Sequence, residues 1–226
     1  MNKWSLWLMI LVAFASYSCG SSADSKEDSQ TAKEVKLEIS GEAQTTAAEE
    51  PVVAEYRELS RLKLPEGFEI EVWADSVENA RSMALSPSGT LFVGTRSKGH
   101  VYALKDTDGD NVPDKKYILA TALRMPNGVA FNNGDLYVAE VSKLWRFKNI
   151  EDNLENPPKP QLIYDNYPTE RHHGWKYIAF GPDGKLYVPV GAPCNVCEKD
   201  NPIYSTIMRM NADGSEKEVY AQGVRN

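Results

Sequence analysis

Apolar and polar positions in this chain follow one pattern three times over. Met83-Ala84-Leu85 leads through the polar Ser86-Pro87-Ser88-Gly89 to Leu91-Phe92-Val93. Val129-Ala130-Phe131 leads through Asn132-Asn133-Gly134 to Leu136-Tyr137-Val138, and Tyr177-Ile178-Ala179-Phe180 leads through Gly181-Pro182-Asp183-Gly184 to Leu186-Tyr187-Val188. Aromatic and β-branched residues around a short turn predict a β-hairpin, because Pro presets φ and Gly accepts φ > 0. The equivalent leucines, Leu91, Leu136 and Leu186, stand 45 and 50 residues apart. Two more short strands are predicted after each hairpin: residues 101–104 and 116–119, then 144–147 and 161–164, then 207–210 and 218–220. Four strands per repeat of this length predict an all-β fold, a β-propeller with three four-stranded blades. Upstream, residues 64–74 alternate Phe68, Ile70 and Val72 with acids and predict a half-buried strand, a candidate to complete the last blade of a closed ring. Closed propellers typically hold about four to eight blades, so three repeats read as the front half of a longer protein.

The first 55 residues do not share this pattern. Lys3 precedes an apolar stretch at residues 4–15, too short to span a bilayer as a mature helix. Cys19-Gly20-Ser21 follows and looks like the acceptor site of a bacterial lipoprotein. Residues 1–19 are thus expected to be a lipoprotein signal peptide, with Cys19 lipidated and the protein held at a membrane in the periplasm or on the cell surface. Plain secretion and a retained anchor are the competing outcomes. Residues 20–55 contain no aromatic residue and set nine acids against three lysines. Such a segment buries too little apolar surface to offset its ordering entropy, and it is expected to be a disordered acidic tether. A solvated helix over residues 32–39 is the alternative for part of it.

The whole chain carries a formal net charge of −7. The tether accounts for most of it, so residues 56–226, the propeller region, are nearly neutral. No basic stripe is present to hold a nucleic-acid backbone.

Three groups of residues carry candidate chemistry. His172 and His173 stand at the head of the third repeat, which places a titratable group just before a rigid strand. Asp106, Asp108, Asp110 and Asp114 have the spacing of oxygen ligands in a calcium loop, although Asn111 stands where the sharp-turn glycine belongs and Tyr117 where a bidentate Glu belongs. A solvated turn between strands is the competing reading. Cys194 and Cys197 form a C-x-x-C followed by Glu198, which does not support haem attachment. A local disulfide is the main reading, with thiol redox chemistry and half of a zinc site as alternatives. His172 either orients His173 or faces solvent. His100 reads as a strand-edge residue. Trp175 suits either a sugar-stacking floor or a buried blade position. Asn127 suits either a cofactor contact or a turn before Gly128.

The run from His173 through Tyr177-Ile178-Ala179-Phe180-Gly181-Pro182-Asp183-Gly184-Lys185-Leu186-Tyr187 resembles the glucose/sorbosone dehydrogenase family. Residues 64–73, Met125-Pro126-Asn127-Gly128-Val129-Ala130-Phe131, residues 136–140 and Gly223-Val224-Arg225-Asn226 agree with it. The resemblance covers residues 64–226 and is nearest the sorbosone-type branch. It implies a periplasmic six-bladed propeller using pyrroloquinoline quinone (PQQ) to oxidise a sugar. It places His173 at the general base that takes the proton of the anomeric hydroxyl, a role suited to imidazole. It also places Arg225, Asn226 and, more weakly, Asn127 at the cofactor. Gly191-Ala192 departs from the Gly-Asp of the glucose-oxidising branch, which argues against glucose itself. The family's later cofactor contacts and its calcium-binding loop fall beyond Asn226.

Two other functions compete with a PQQ-dependent sugar dehydrogenase. A lactonase-type propeller needs a metal ringed by acids and amides, to which Glu140 and Asn127 could contribute. A non-catalytic surface lipoprotein binding carbohydrate or protein needs neither, and fold alone does not decide.

Overall fold

The structure is a computed structural model that describes residues 59–224. The predicted signal peptide with Cys19, the 20–55 tether, and Arg225 with Asn226 lie outside the described residues. Twelve strands form three four-stranded antiparallel sheets. The first holds β1 (Ala80–Leu85), β2 (Leu91–Thr95), β3 (Val101–Lys105) and β4 (Lys115–Ala120). The second holds β5 (Gly128–Asn132), β6 (Asp135–Ala139), β7 (Leu144–Phe147) and β8 (Gln161–Tyr164). The third holds β9 (Ala179–Phe180), β10 (Leu186–Val190), β11 (Thr206–Met210) and β12 (Glu218–Gln222). Each sheet follows chain order, and β1 lies against β5 and β5 against β9. The first strand of each blade therefore faces the common axis, as the repeat predicts.

Period-two alternation sorts the apolar residues between blades. Phe92, Val101 and Ala103 pack with Val129, Leu136 and Val138, which fills the space between the first two blades. Tyr137 and Ala139, one residue out of step on β6, pack instead with Leu186, Val188, Val190 and Met208 of the third. The middle blade is apolar on both faces because both are covered.

The three hairpin turns are of two kinds. In the first and third blades Gly89 and Gly184 close three-residue turns, at φ 87° and 72°; their amides donate to Ser86 O and Gly181 O at 3.1 and 3.0 Å. In the second, Asn132 pairs with Asp135, so Asn133 and Gly134 alone make the turn, both at positive φ. That is the two-residue turn favoured by Asn-Gly.

Two expectations need correction. Residues 64–74 form no strand, and Phe68, Ile70 and Val72 are exposed. An alternating pattern becomes a strand only where a neighbouring backbone offers a ladder, and no described strand edge pairs with this segment. Burial begins at Trp73, Ala74 and Val77, which pack on Val93, Tyr102 and Leu104. The predicted run from Tyr177 to Phe180 is a strand only at Ala179–Phe180. Before it the chain turns to the middle blade, where the Lys176 carbonyl accepts from Asn127 Nδ2 at 2.7 Å.

Candidate active site

Antiparallel pairing gives the blades two ends. Residues 121–127, 165–178 and 191–205 join strands at the end where β1, β5 and β9 begin. The hairpin turns and residues 106–114 lie at the other. A cavity of about 450 Å³ opens on the axis at the first end, lined by Ala80, Arg81, Ser82, Asn127, Trp175 and Tyr177. All six sit at or just before the start of an inner strand, so each blade contributes to one mouth.

His173 stands beside this cavity, half-buried, with its ring centroid 6.1 Å from that of Trp175 in an edge-on arrangement. Its Nδ1 lies 3.0 Å from the Ala192 carbonyl oxygen. A carbonyl only accepts, so Nδ1 carries the proton and Nε2 is the ring's basic nitrogen. His173 takes φ 52°, a left-handed conformation rarely adopted by side-chain-bearing residues. The next residue must be small. A Cβ on Gly174 would stand 2.0 Å from the Glu170 carbonyl oxygen. His172 is exposed and its ring lies 4.0 Å from that of His173, so it both meets solvent and contacts its neighbour.

Asn127 is 4% exposed. Its Nδ2 is committed to Lys176 O, while its Oδ1 is buried without a hydrogen-bond partner. A buried acceptor left in this state is costly unless something else supplies a donor. Gly128, next to it, admits no side chain, because a Cβ would meet Lys176 O at 2.6 Å.

Lys176 was not singled out by sequence reading. It is 1% exposed, and its Nζ donates to the Gly174 carbonyl at 3.2 Å and lies 4.8 Å from the centre of the Tyr167 ring. Among the described residues no carboxylate pairs with it, and burial pulls its pKa down to about 8. The signal available in the sequence was a lysine between two aromatic residues just before an inner strand.

Cys194 and Cys197 are joined in a disulfide, with Cα atoms 5.9 Å apart, in the connection that carries Ala192. His100 precedes β3 at the same end, with its Nδ1 3.1 Å from the Tyr102 hydroxyl, and burial lowers its pKa. Glu140 is buried and tied to the Arg124 amide and, at 2.8 Å, to Trp145 Nε1. That leaves it committed to the blade, and among the described residues it joins no group of potential metal ligands. The lactonase reading loses its acid.

The acidic loop lies at the far end of the first blade. Asp106, Asp108 and Asp114 each offer an oxygen, all within 4.8 Å of one another. Asp110 falls outside this group, and its Oδ1 accepts from the Val112 amide at 2.7 Å. Asn111 takes φ 70°, which makes the turn expected of the missing glycine. The Gly109 amide foremost, with that of Asn111, holds Asp106 below the usual carboxylate range. Asp114 Oδ2 accepts from Thr107 at 3.0 and 2.6 Å, while its Oδ1 is buried and unpartnered.

Fold and site together define a β-propeller with a cavity at one end of its axis. Residues 54–226 match the family described as Domain of unknown function (DUF7133), and the chain belongs to it. It is 27% identical over 179 residues to an uncharacterized protein of Borreliella burgdorferi, a match covering 74% of this chain and 45% of that one. Among solved structures, the PQQ-bound form of an aldose sugar dehydrogenase from Streptomyces coelicolor matches with TM-score 0.55 at 20% identity, over 70% of this chain and 54% of that one. The holo PQQ domain of a pyranose dehydrogenase from Coprinopsis cinerea matches with TM-score 0.62 at 13% identity, over 73% and 43%. The chain spans about half the length of these relatives, and at such identities the structures establish the fold.

Proposed function

We propose that the protein is an extracytoplasmic, PQQ-dependent dehydrogenase of aldose sugars, of the sorbosone-oxidising type, held to a membrane through lipidated Cys19. The observation that carries this is His173, whose Nδ1–H is spent on Ala192 O so that Nε2 is the basic nitrogen of a ring packed against the cavity-lining Trp175. The fold of two PQQ-binding sugar dehydrogenases supports it.

The lining residues would suit a polar cofactor and a sugar. Asn127 Oδ1 is a buried acceptor awaiting a donor, and Trp175 and Tyr177 supply aromatic faces. Arg225 and Asn226 are the further residues proposed to hold it. Bound there, the quinone supplies a two-electron acceptor for the hydride leaving the sugar carbon. His173 Nε2 takes the hydroxyl proton as that carbon becomes a carbonyl. The Ala192 carbonyl stabilises the imidazolium that forms, and the Trp175 edge limits ring rotation. Calcium is proposed at Asp106, Asp108 and Asp114, supported by their proximity and by the unpartnered Asp114 Oδ1.

The test is reduction of a redox dye by the full chain with PQQ, calcium and a panel of aldoses. Turnover that requires both PQQ and sugar is expected. PQQ binding without turnover on any aldose or aldehyde would overturn the enzymatic reading.

A further inference from the structure

The axial cavity holds more positive charge than a neutral sugar needs. Arg81 lines it, and the Arg96 guanidinium lies 4.6 Å above the Trp175 ring that also lines it. Neither pairs with a carboxylate among the described residues, whereas Lys98, Arg146, Lys185 and Arg209 each do. The chain has 32 acidic residues against 25 lysines and arginines, so carboxylate partners are abundant elsewhere. Among the described residues no acid lines this cavity.

The remaining polar feature has the opposite demand. Asn127 Oδ1 is an acceptor, buried and without a donor. A complementary ligand therefore presents an anion to the arginines, a hydroxyl to Asn127 and a C–H face to Trp175. A guanidinium fork matches a carboxylate in charge and plane, and one stacked on an aromatic ring is already oriented for it. The geometry points to a carboxylate site formed by Arg81 and Arg96, taking a sugar acid such as a uronate or aldonate in the cavity beside His173. This rests on the axial cavity being the ligand site, as proposed above, but not on the redox chemistry there. The same chemistry could be met by a carboxylate of the quinone cofactor, and the experiment separates the two sources.

The measurement is calorimetric binding to the full chain of D-glucuronate, D-glucose and PQQ, each separately, for wild type, Arg81→Gln and Arg96→Gln. Glucuronate should bind about tenfold or more tightly than glucose, the usual worth of a charged hydrogen bond. Either substitution should erase that preference, read as the ratio of glucuronate to glucose affinity. Raising the salt concentration should weaken glucuronate and spare glucose in the wild type, which needs no variant to fold. If PQQ rather than glucuronate loses about tenfold in the variants, the carboxylate site stands and the cofactor is its source. Equal binding of glucuronate and glucose, with PQQ indifferent to both substitutions, overturns the proposal. Because the readout is binding, failure of the dye assay leaves this result standing, and equal wild-type binding of glucuronate and glucose leaves a positive dye assay on neutral sugars standing.

Discussion

The two ends of the blades are built from different residues, and the difference separates function from folding. At the hairpin end, left-handed backbone falls mostly to residues that take it cheaply: Gly89, Gly109, Asn111, Asn133, Gly134, Asn149, Gly184 and Gly214, with Glu216 the exception. At the cavity end Asn79, Gly99 and Gly223 also take it cheaply, but the same conformation falls as well on Ala122, Met125, His173 and Ser205, which do not. Each such residue is held against a penalty of roughly 1–3 kcal/mol, and such strain clusters at ligand sites. The polar groups differ less sharply, since Asp114 Oδ1 at the hairpin end is also buried without a partner. The hairpin end satisfies Asp135 with Arg146 and with the Asn149 amide at 2.8 Å. The cavity end buries Lys176 without a carboxylate and leaves Asn127 Oδ1 without a donor.

The largest effect expected from this contrast is on turnover. His173→Ala in protein loaded with PQQ should lower kcat by about 10²–10⁴-fold, the usual worth of a positioned base, with the melting temperature nearly unchanged. Asp114→Asn, at the other end, should leave kcat alone and alter only stability. His172→Ala should lower kcat far less than His173→Ala, since His172 is exposed beside the ring rather than hydrogen-bonded to Ala192. Near-normal turnover of His173→Ala at saturating sugar would remove the assignment.

Second in size is the pH dependence set by Lys176. Its pKa lies at about 8 in the folded chain, lowered by burial from 10.5. Between these values the unfolded chain binds a proton that the folded chain does not, so stability rises with pH across the window. The penalty is present in full below pH 8 and fades towards pH 10.5. At about 1.4 kcal/mol per pH unit it amounts to roughly 3 kcal/mol. Lys176→Met should recover most of that at pH 7, measured by denaturant unfolding, and should flatten the slope above pH 8. A slope that survives the substitution would assign it to another group.

The sequence disclosed the end built from local rules. Gly181-Pro182-Asp183-Gly184 and Asn133-Gly134 specify their turns within a few residues, and strand alternation follows from them. Residues 144–147 and 161–164 were legible to the residue. The cavity was legible only in part, because it is assembled from three strand starts far apart in the chain. His173, Trp175 and Asn127 could be nominated singly. That Arg81 and Arg96 reach the same mouth, or that the Asn127 amide grips the Lys176 carbonyl, depends on how blades meet. Residues 64–74 show the converse failure: a clear pattern whose meaning depends on a partner strand.

The Cys194–Cys197 bridge should have a smaller effect on stability and report on the cavity end. It closes a loop of four residues, for which the chain-entropy relation gives about 2 kcal/mol. The same connection presents Ala192 O to His173. The double substitution Cys194→Ser/Cys197→Ser should therefore lower kcat severalfold beyond what its loss of stability explains. A loss of stability with kcat unchanged would confine the bridge to folding.

The smallest effect belongs to the acidic loop. Calcium at about ten times its dissociation constant should stabilise the folded chain by about 1.4 kcal/mol, a shift of a few degrees in melting temperature for a domain of this size. The measurement is made without PQQ or sugar, so that any calcium held at the cavity end through a cofactor does not enter. Asp114→Asn should abolish the shift, because it alters the carboxylate whose Oδ1 is buried without a partner. Asp110→Asn should preserve it, because Asp110 stands outside the group of converging oxygens and serves the Val112 amide. Equal loss in the two variants would return the loop to the regular calcium phasing that its sequence suggests. No shift in wild type would leave it a hydrogen-bonded turn, with Asp106 held ionised by the Gly109 amide rather than by a metal.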